Sequence, residues 1–145
     1  MSVIDTLITD RTSSDVEAGA DKGYYNAADL NRVEAAMEYV AARLRAAGCG
    51  VSVTGKTDWT MSDIPTPADM DRYLSNLAML RGALTVLPAT PSVPDDMSGL
   101  TWQEANDIER ILADVDALVT SMSAVYLRSG MAWAVCGGPN FYIAI

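Results

Sequence analysis

The sequence predicts a mainly α protein: a three-helix antiparallel bundle with long loops and short β-like arms at its two ends. Three observations predict it. Apolar residues recur at alternating three- and four-residue steps in three windows, each window opens on a capping residue, and each closes on Gly or Pro. The chain divides accordingly into an N-terminal arm, residues 1–25, a bundle, residues 26–130, and an apolar C-terminal hairpin or assembly arm, residues 131–145.

In the N-terminal arm, VIDTLIT reads as a strand or extended segment, and Thr12 with Asp15 caps one or two helical turns. The first long helix runs from the Asn26 cap to Gly48. Its stripe is Leu30, Val33, Met37, Val40, Leu44 and Ala47, and Asp29 suits the positive end of the dipole. Gly48 supplies the left-handed exit.

The second helix opens on Thr66, with Pro67 at the first position, where no N–H donor is needed. Its stripe of Met70, Tyr73, Leu77, Leu80, Leu84 and Leu87 is predicted to run until Pro88. The third starts at the capping box Thr101 to Glu104 and ends at Gly130. Its stripe, Ile108, Leu112, Val115, Val119, Met122 and Tyr126, is widened by Ile111, Leu118 and Val125, so it faces more than one neighbour. Val40, Leu77 and Val115 are the expected centre of the core.

The two connections are longer than the two to eight residues usual in a plain bundle. One contains VSVT, a short strand by composition, and DWT; the other carries Pro88, Pro91 and Pro94, which stiffen it into a strap. After the third helix, MAWAVC and FYIAI flank GGPN, the pattern of a hairpin. Both arms are apolar on both faces and need cover. The expected assembly interface is therefore Ile4, Leu7 and Ile8 at one end with Trp133, Val135, Phe141, Tyr142, Ile143 and Ile145 at the other.

Composition narrows the chemistry. Ten Lys and Arg stand against 19 Asp and Glu, a net charge of −9, in a chain of 145 residues that is half apolar. Such a balance disfavours nucleic acid, whose binding rests on cationic contacts. With no His and two Cys, the commonest general base is missing and a zinc site lacks ligands, so no catalytic residue, cofactor or metal is expected. Cys49 and Cys136 read as two small buried residues rather than a disulfide. The first ten residues, acidic where a secretory signal is basic, and the lack of a long apolar window point to a protein with no membrane span, made in the cytoplasm.

Four motifs carry a functional reading beside a blander one. Asp58, Trp59 and Asp63 offer an aromatic face and carboxylates to a glycan or partner, whereas the blander reading makes Trp59 a loop anchor. GVSVTGKT matches the phosphate-loop spacing, but it follows a helix rather than a strand and runs into prolines, so it reads as chance. Asp95 and Asp96 offer a cation site or an acid and base pair, whereas adjacent loop carboxylates after Pro read more simply as turn formers. Asp107, Glu109, Asp114 and Asp116 make an acidic flank that a decoy of nucleic acid would use, and that a solvated helix face explains more simply.

Four blocks carry a resemblance: LITDRT-x-x-DV (7–16), YNAADLNRVEAAMEYVAARL (25–44), KTDWTMSDIPTPADMDRYLSNL (56–77) and GLTWQEANDIERIL (99–112). They resemble a family of small proteins and terminal modules encoded in the tail and structural gene regions of bacteriophages and prophages. The resemblance runs from residue 7 to about residue 126. It implies a virion-associated structural role, and it supplies no active site. The expected function is that of a virion component of tail, baseplate or fibre, with the apolar arms pointing to self-association and contact with other virion proteins, and the Asp58, Trp59 and Asp63 patch making a host surface glycan a further candidate partner. Two departures are visible: EAGADKG bridges the first two blocks where the family has a longer, Trp-containing insert, and RSGMAWAVCGGPNFYIAI replaces its usual tail-end pattern. A small acidic inhibitor occupying a host nucleic-acid site is the alternative function.

Overall fold

A computed structural model describes residues 2–129, 132–134 and 142–144, with side chains to residue 122. The protein is mainly helical. Its helices are α1 (Ser13–Glu17), α2 (Ala27–Ala46), α3 (Pro67–Gly82) and α4 (Trp102–Ser129), with 3₁₀ turns at Val3–Thr6 and Asp21–Gly23. Near the end of the chain β1 (Ala132–Ala134) pairs antiparallel with β2 (Tyr142–Ala144), Trp133 opposite Ile143.

Capping chemistry sets where the helices begin. Reciprocal boxes join Thr12 to Asp15, Asn26 to Asp29, Thr66 to Asp69 and Thr101 to Glu104, each satisfying two otherwise orphaned N–H donors. After α2, Gly48 takes a φ of 98° and the Cys49 N–H returns to the Leu44 carbonyl, closing the helix. α3 stops at Gly82, before the expected Pro88. The Arg81 guanidinium there donates to the Thr90 and Pro91 carbonyls and draws the chain back. Leu84 stays buried outside the helix, whereas Leu87 is 61% exposed and leaves the stripe.

The three long helices touch one another pairwise. Val40, Leu77 and Val115 are fully buried in one cluster with Met37, Tyr73 and Ile111. The antiparallel arrangement expected from sequence is corrected by the ion pairs. Along α2 and α4, Arg32 meets Glu109 and Arg43 meets Asp116, so positions rise together and the two helices run the same way.

Residues 47–66 lie back along α2 as a strap. Val51 accepts from Arg45, the Lys56 N–H reaches Glu34, and the Trp59 N–H reaches Asn31. α3 therefore starts beside the beginning of α2. Residues 83–101 likewise return from Arg81 to bring Met97 and Leu100 beside Met70 and Leu74, at the start of α3. The 20 residues of α2 span about 30 Å, and a parallel neighbour needs a connection of that reach, which a short bundle loop lacks. This is the physical reason for the long connections.

Three local expectations also change. VSVT forms no strand; its residues hang as part of the first strap. VIDTLIT is a 3₁₀ turn followed by extended chain, because Asp5 caps the Ser2 N–H and Thr6 bonds back to Val3. Cys49 is buried and disulfide-bonded, not an unpaired thiol; Cys136 lies outside the described residues.

Candidate functional site

Two features concentrate polar chemistry: a buried charge network, and a groove at the end where α2, α3 and α4 all begin. The network is built from the most distinctive sequence blocks. Glu109, with no exposure, accepts from the Ile8 N–H at 3.0 Å, from Arg32 Nε at 2.8 Å and Nη2 at 2.9 Å, and from Arg11 Nη2 at 2.7 Å. Asp29 accepts from Arg32 at 2.7 Å and Arg11 at 3.3 Å. Two cations thus face two anions. Arg11 also donates to the Ile8 and Lys22 carbonyls, while Asn106 exchanges bonds with the Arg11 backbone. Burial works against the charge of Arg32, but the hydrogen bonds and charges of Glu109 and Asp29 outweigh it and raise its pKa.

A second buried carboxylate, Glu34, holds the first strap. It accepts from Trp59 Nε1 at 2.6 Å, Arg72 Nη1 at 2.5 Å and the Lys56 N–H at 3.2 Å. Between the two clusters the hydroxyls of Tyr25 and Tyr73 share a short hydrogen bond, and the Arg11 guanidinium lies 5.6 Å from the Tyr25 ring centre. Burial pushes both tyrosine pKa values up, that of Tyr73 well above the ordinary range. Every oxygen of Glu34 and Glu109 is engaged, so neither is poised to take a proton from a substrate.

The groove is walled by Tyr25, Leu30, Met70, Leu74, Met97 and Leu100, with a volume of 570 Å³. A 250 Å³ hollow that shares Tyr25, Leu30 and Pro65 with it extends to Trp59, Met61 and Asp63.

The residues singled out from sequence fall in different places. Trp59 is 6% exposed, with Lys56 Nζ 4.7 Å above its ring, so its face is not open to stacking on a sugar; it anchors the strap. Asp58 pairs with Lys56, and Asp63 accepts from Thr60. Ile4 and Leu7 pack on the core of their own chain, and Ile8 is half-buried with its N–H bonded to Glu109. The side chains of Trp133, Val135, Phe141, Tyr142, Ile143 and Ile145 lie outside those described.

The phosphate-loop match has no strand before it, and its Lys56 N–H is spent on Glu34. Of the acidic flank, Glu109 is buried, Asp116 pairs with Arg43, and Asp114 bonds Arg110 and Thr90. Asp96 accepts from Ser98 in a turn. Sequence reading missed Arg11 and Glu34 as buried charges and Arg72 as the half-buried partner of Glu34; for Glu34 the only signal was its place beside Val33 and Met37 on the apolar stripe of α2.

Among the described residues no group of three or more His, Cys, Asp or Glu side chains is placed to hold a metal, and no helix is long and apolar enough to cross a membrane. No family model, curated protein or solved structure matches the chain.

Proposed function

We propose that this protein is a bacteriophage virion component of tail, baseplate or fibre that works by self-association and attachment and carries no catalysis. One observation carries the reading. The charged residues of its most distinctive blocks, Arg11, Asp29, Arg32, Glu34 and Glu109, are consumed in holding arm, strap and helices together. A buried network whose carboxylates, Asp29, Glu34 and Glu109, are all bonded favours one rigid arrangement, which suits a repeated building unit. The apolar C-terminal pair, with Trp133 opposite Ile143, is the contact between copies. Interaction with other virion proteins, or with a host surface glycan, belongs to surfaces other than the Trp59 ring. The decoy alternative loses ground, because three of the four acids it would display are bonded within the chain.

Sedimentation of the full chain tests the proposal. A stable assembly is expected, and Trp133→Asp with Ile143→Asp should dissociate it while circular dichroism keeps its helical signal. A monomeric full chain, or an assembly indifferent to both substitutions, refutes it.

A further inference from the structure

We propose that the groove at the shared beginning of α2, α3 and α4 is a docking site for a segment of another protein that carries apolar anchors flanked by Lys or Arg. Its walls are apolar, and the hollow beside it continues onto an apolar surface. Met61, 79% exposed, lines that hollow, and Ile64, 86% exposed, precedes Pro65 on its rim; these are the most exposed large hydrophobic side chains among the described residues. Polar loop residues would close such a hollow at no cost in stability, so two open apolar side chains at its edge mark an interaction surface.

Charge selects the occupant. Asp63, Asp71 and Asp96 ring the two hollows, and among the described residues no Lys or Arg lines either one. The cations that touch the lining residues are already engaged: Lys56, over the Trp59 ring, with Asp58, and Arg11, over the Tyr25 ring, with Asp29 and Glu109. Asp63 spends only Oδ2 on its turn and Asp96 only Oδ1, while Asp71 has no side-chain partner among the described residues, and all three are exposed. A second copy of this chain brings a net charge of −9 to an acidic rim, and an anionic membrane surface is repelled in the same way. A cationic apolar segment answers both the walls and the rim.

Fluorescence anisotropy with two labelled synthetic peptides tests this, one a Leu/Lys amphipathic helix and the other its Leu/Glu counterpart. The Leu/Lys peptide is expected to saturate at one per protein. Its affinity should fall about tenfold or more in D71K/D96K and in I64D, all exposed positions whose variants circular dichroism should show folded. The pair E17K/D107K, with the same change in net charge but neither residue in the groove, should bind as the parent does.

Equal weakening by both charge-reversed pairs reduces the effect to net charge and overturns the proposal. So does equal binding of the Leu/Glu peptide, or the absence of saturation. If I64D leaves peptide binding unchanged and instead alters the sedimentation of the protein by itself, the occupant is a second copy, and the proposal also fails.

Discussion

Replacing Arg11 by Met removes one of two cations that face Asp29 and Glu109 in the interior. Arg11 is 3% exposed and donates to five groups: the Ile8 and Lys22 carbonyls, the Asn106 side chain, Asp29 and Glu109. Arg32 cannot neutralise two buried carboxylates by itself, and two carbonyls lose a donor. Breaking a buried pair from one side costs about 3 to 5 kcal/mol, which for a chain of this length lowers Tm by roughly 6 to 20 °C. Adding Glu109→Leu restores the balance, since Arg32 and Asp29 remain as a matched pair. The double variant should therefore be more stable than the sum of the single effects predicts, by about 1 kcal/mol or more. Urea unfolding followed by circular dichroism measures all three variants. A cost below about 1 kcal/mol for Arg11→Met, or strict additivity in the cycle, would refute the claim that these charges hold the arm to the helices.

Three further outcomes are expected. Leu77→Ala, at a fully buried position, should cost about 2 to 5 kcal/mol in the same assay; a loss within about half a kcal/mol is that of a surface site. Trp59→Phe keeps the ring but removes the donor to Glu34, and should cost about 1 to 3 kcal/mol, with limited proteolysis revealing a loosened strap; a protein as stable and protease-resistant as the parent contradicts the anchor role. Tyr25 and Tyr73 hold their protons to higher pH when folded than the ordinary value of 10.0. Their contribution is full below about pH 10 and is lost as pH rises through the raised values, because the unfolded chain ionises first, at roughly 1.4 kcal/mol per pH unit for each group. Tyr25→Phe with Tyr73→Phe should flatten that alkaline slope, and an unchanged slope places its origin elsewhere.

Helix positions were legible because their signals are local. The Asn26, Thr66 and Thr101 caps and the apolar periodicities need only neighbouring residues, and Val40, Leu77 and Val115 followed into the core. Helix direction was not legible, since the stripes of parallel and antiparallel helices look alike. The length of the two connections carries the information, as the reach a returning chain needs, but length alone does not tell a returning chain from a strap across the bundle. The same blindness hid the charge network. Arg11 and Glu109 are 98 positions apart, and no periodicity within α4 distinguishes Glu109, buried, from Arg110, exposed. At Trp59 the aromatic and its acids suggested both a ligand face and an anchor; Glu34, which decides between them, lies in another block.

The returning straps also shape how this chain reaches its fold. A bundle of antiparallel helices with short loops assembles through contacts between neighbours in sequence, and such topologies fold in microseconds to milliseconds. Here each long helix meets the next only after the intervening chain has doubled back, and the arm ending at Arg11 has its anchors on α4. Loop closure must therefore precede most of the interhelical reward, and refolding should be slower than helix content suggests. Until the arm docks, Asp29 and Glu109, the carboxylates that Arg11 covers, stay open to water. Docking the arm withdraws these charges from solvent, so the refolding rate should respond to salt and to the Arg11 and Glu109 substitutions.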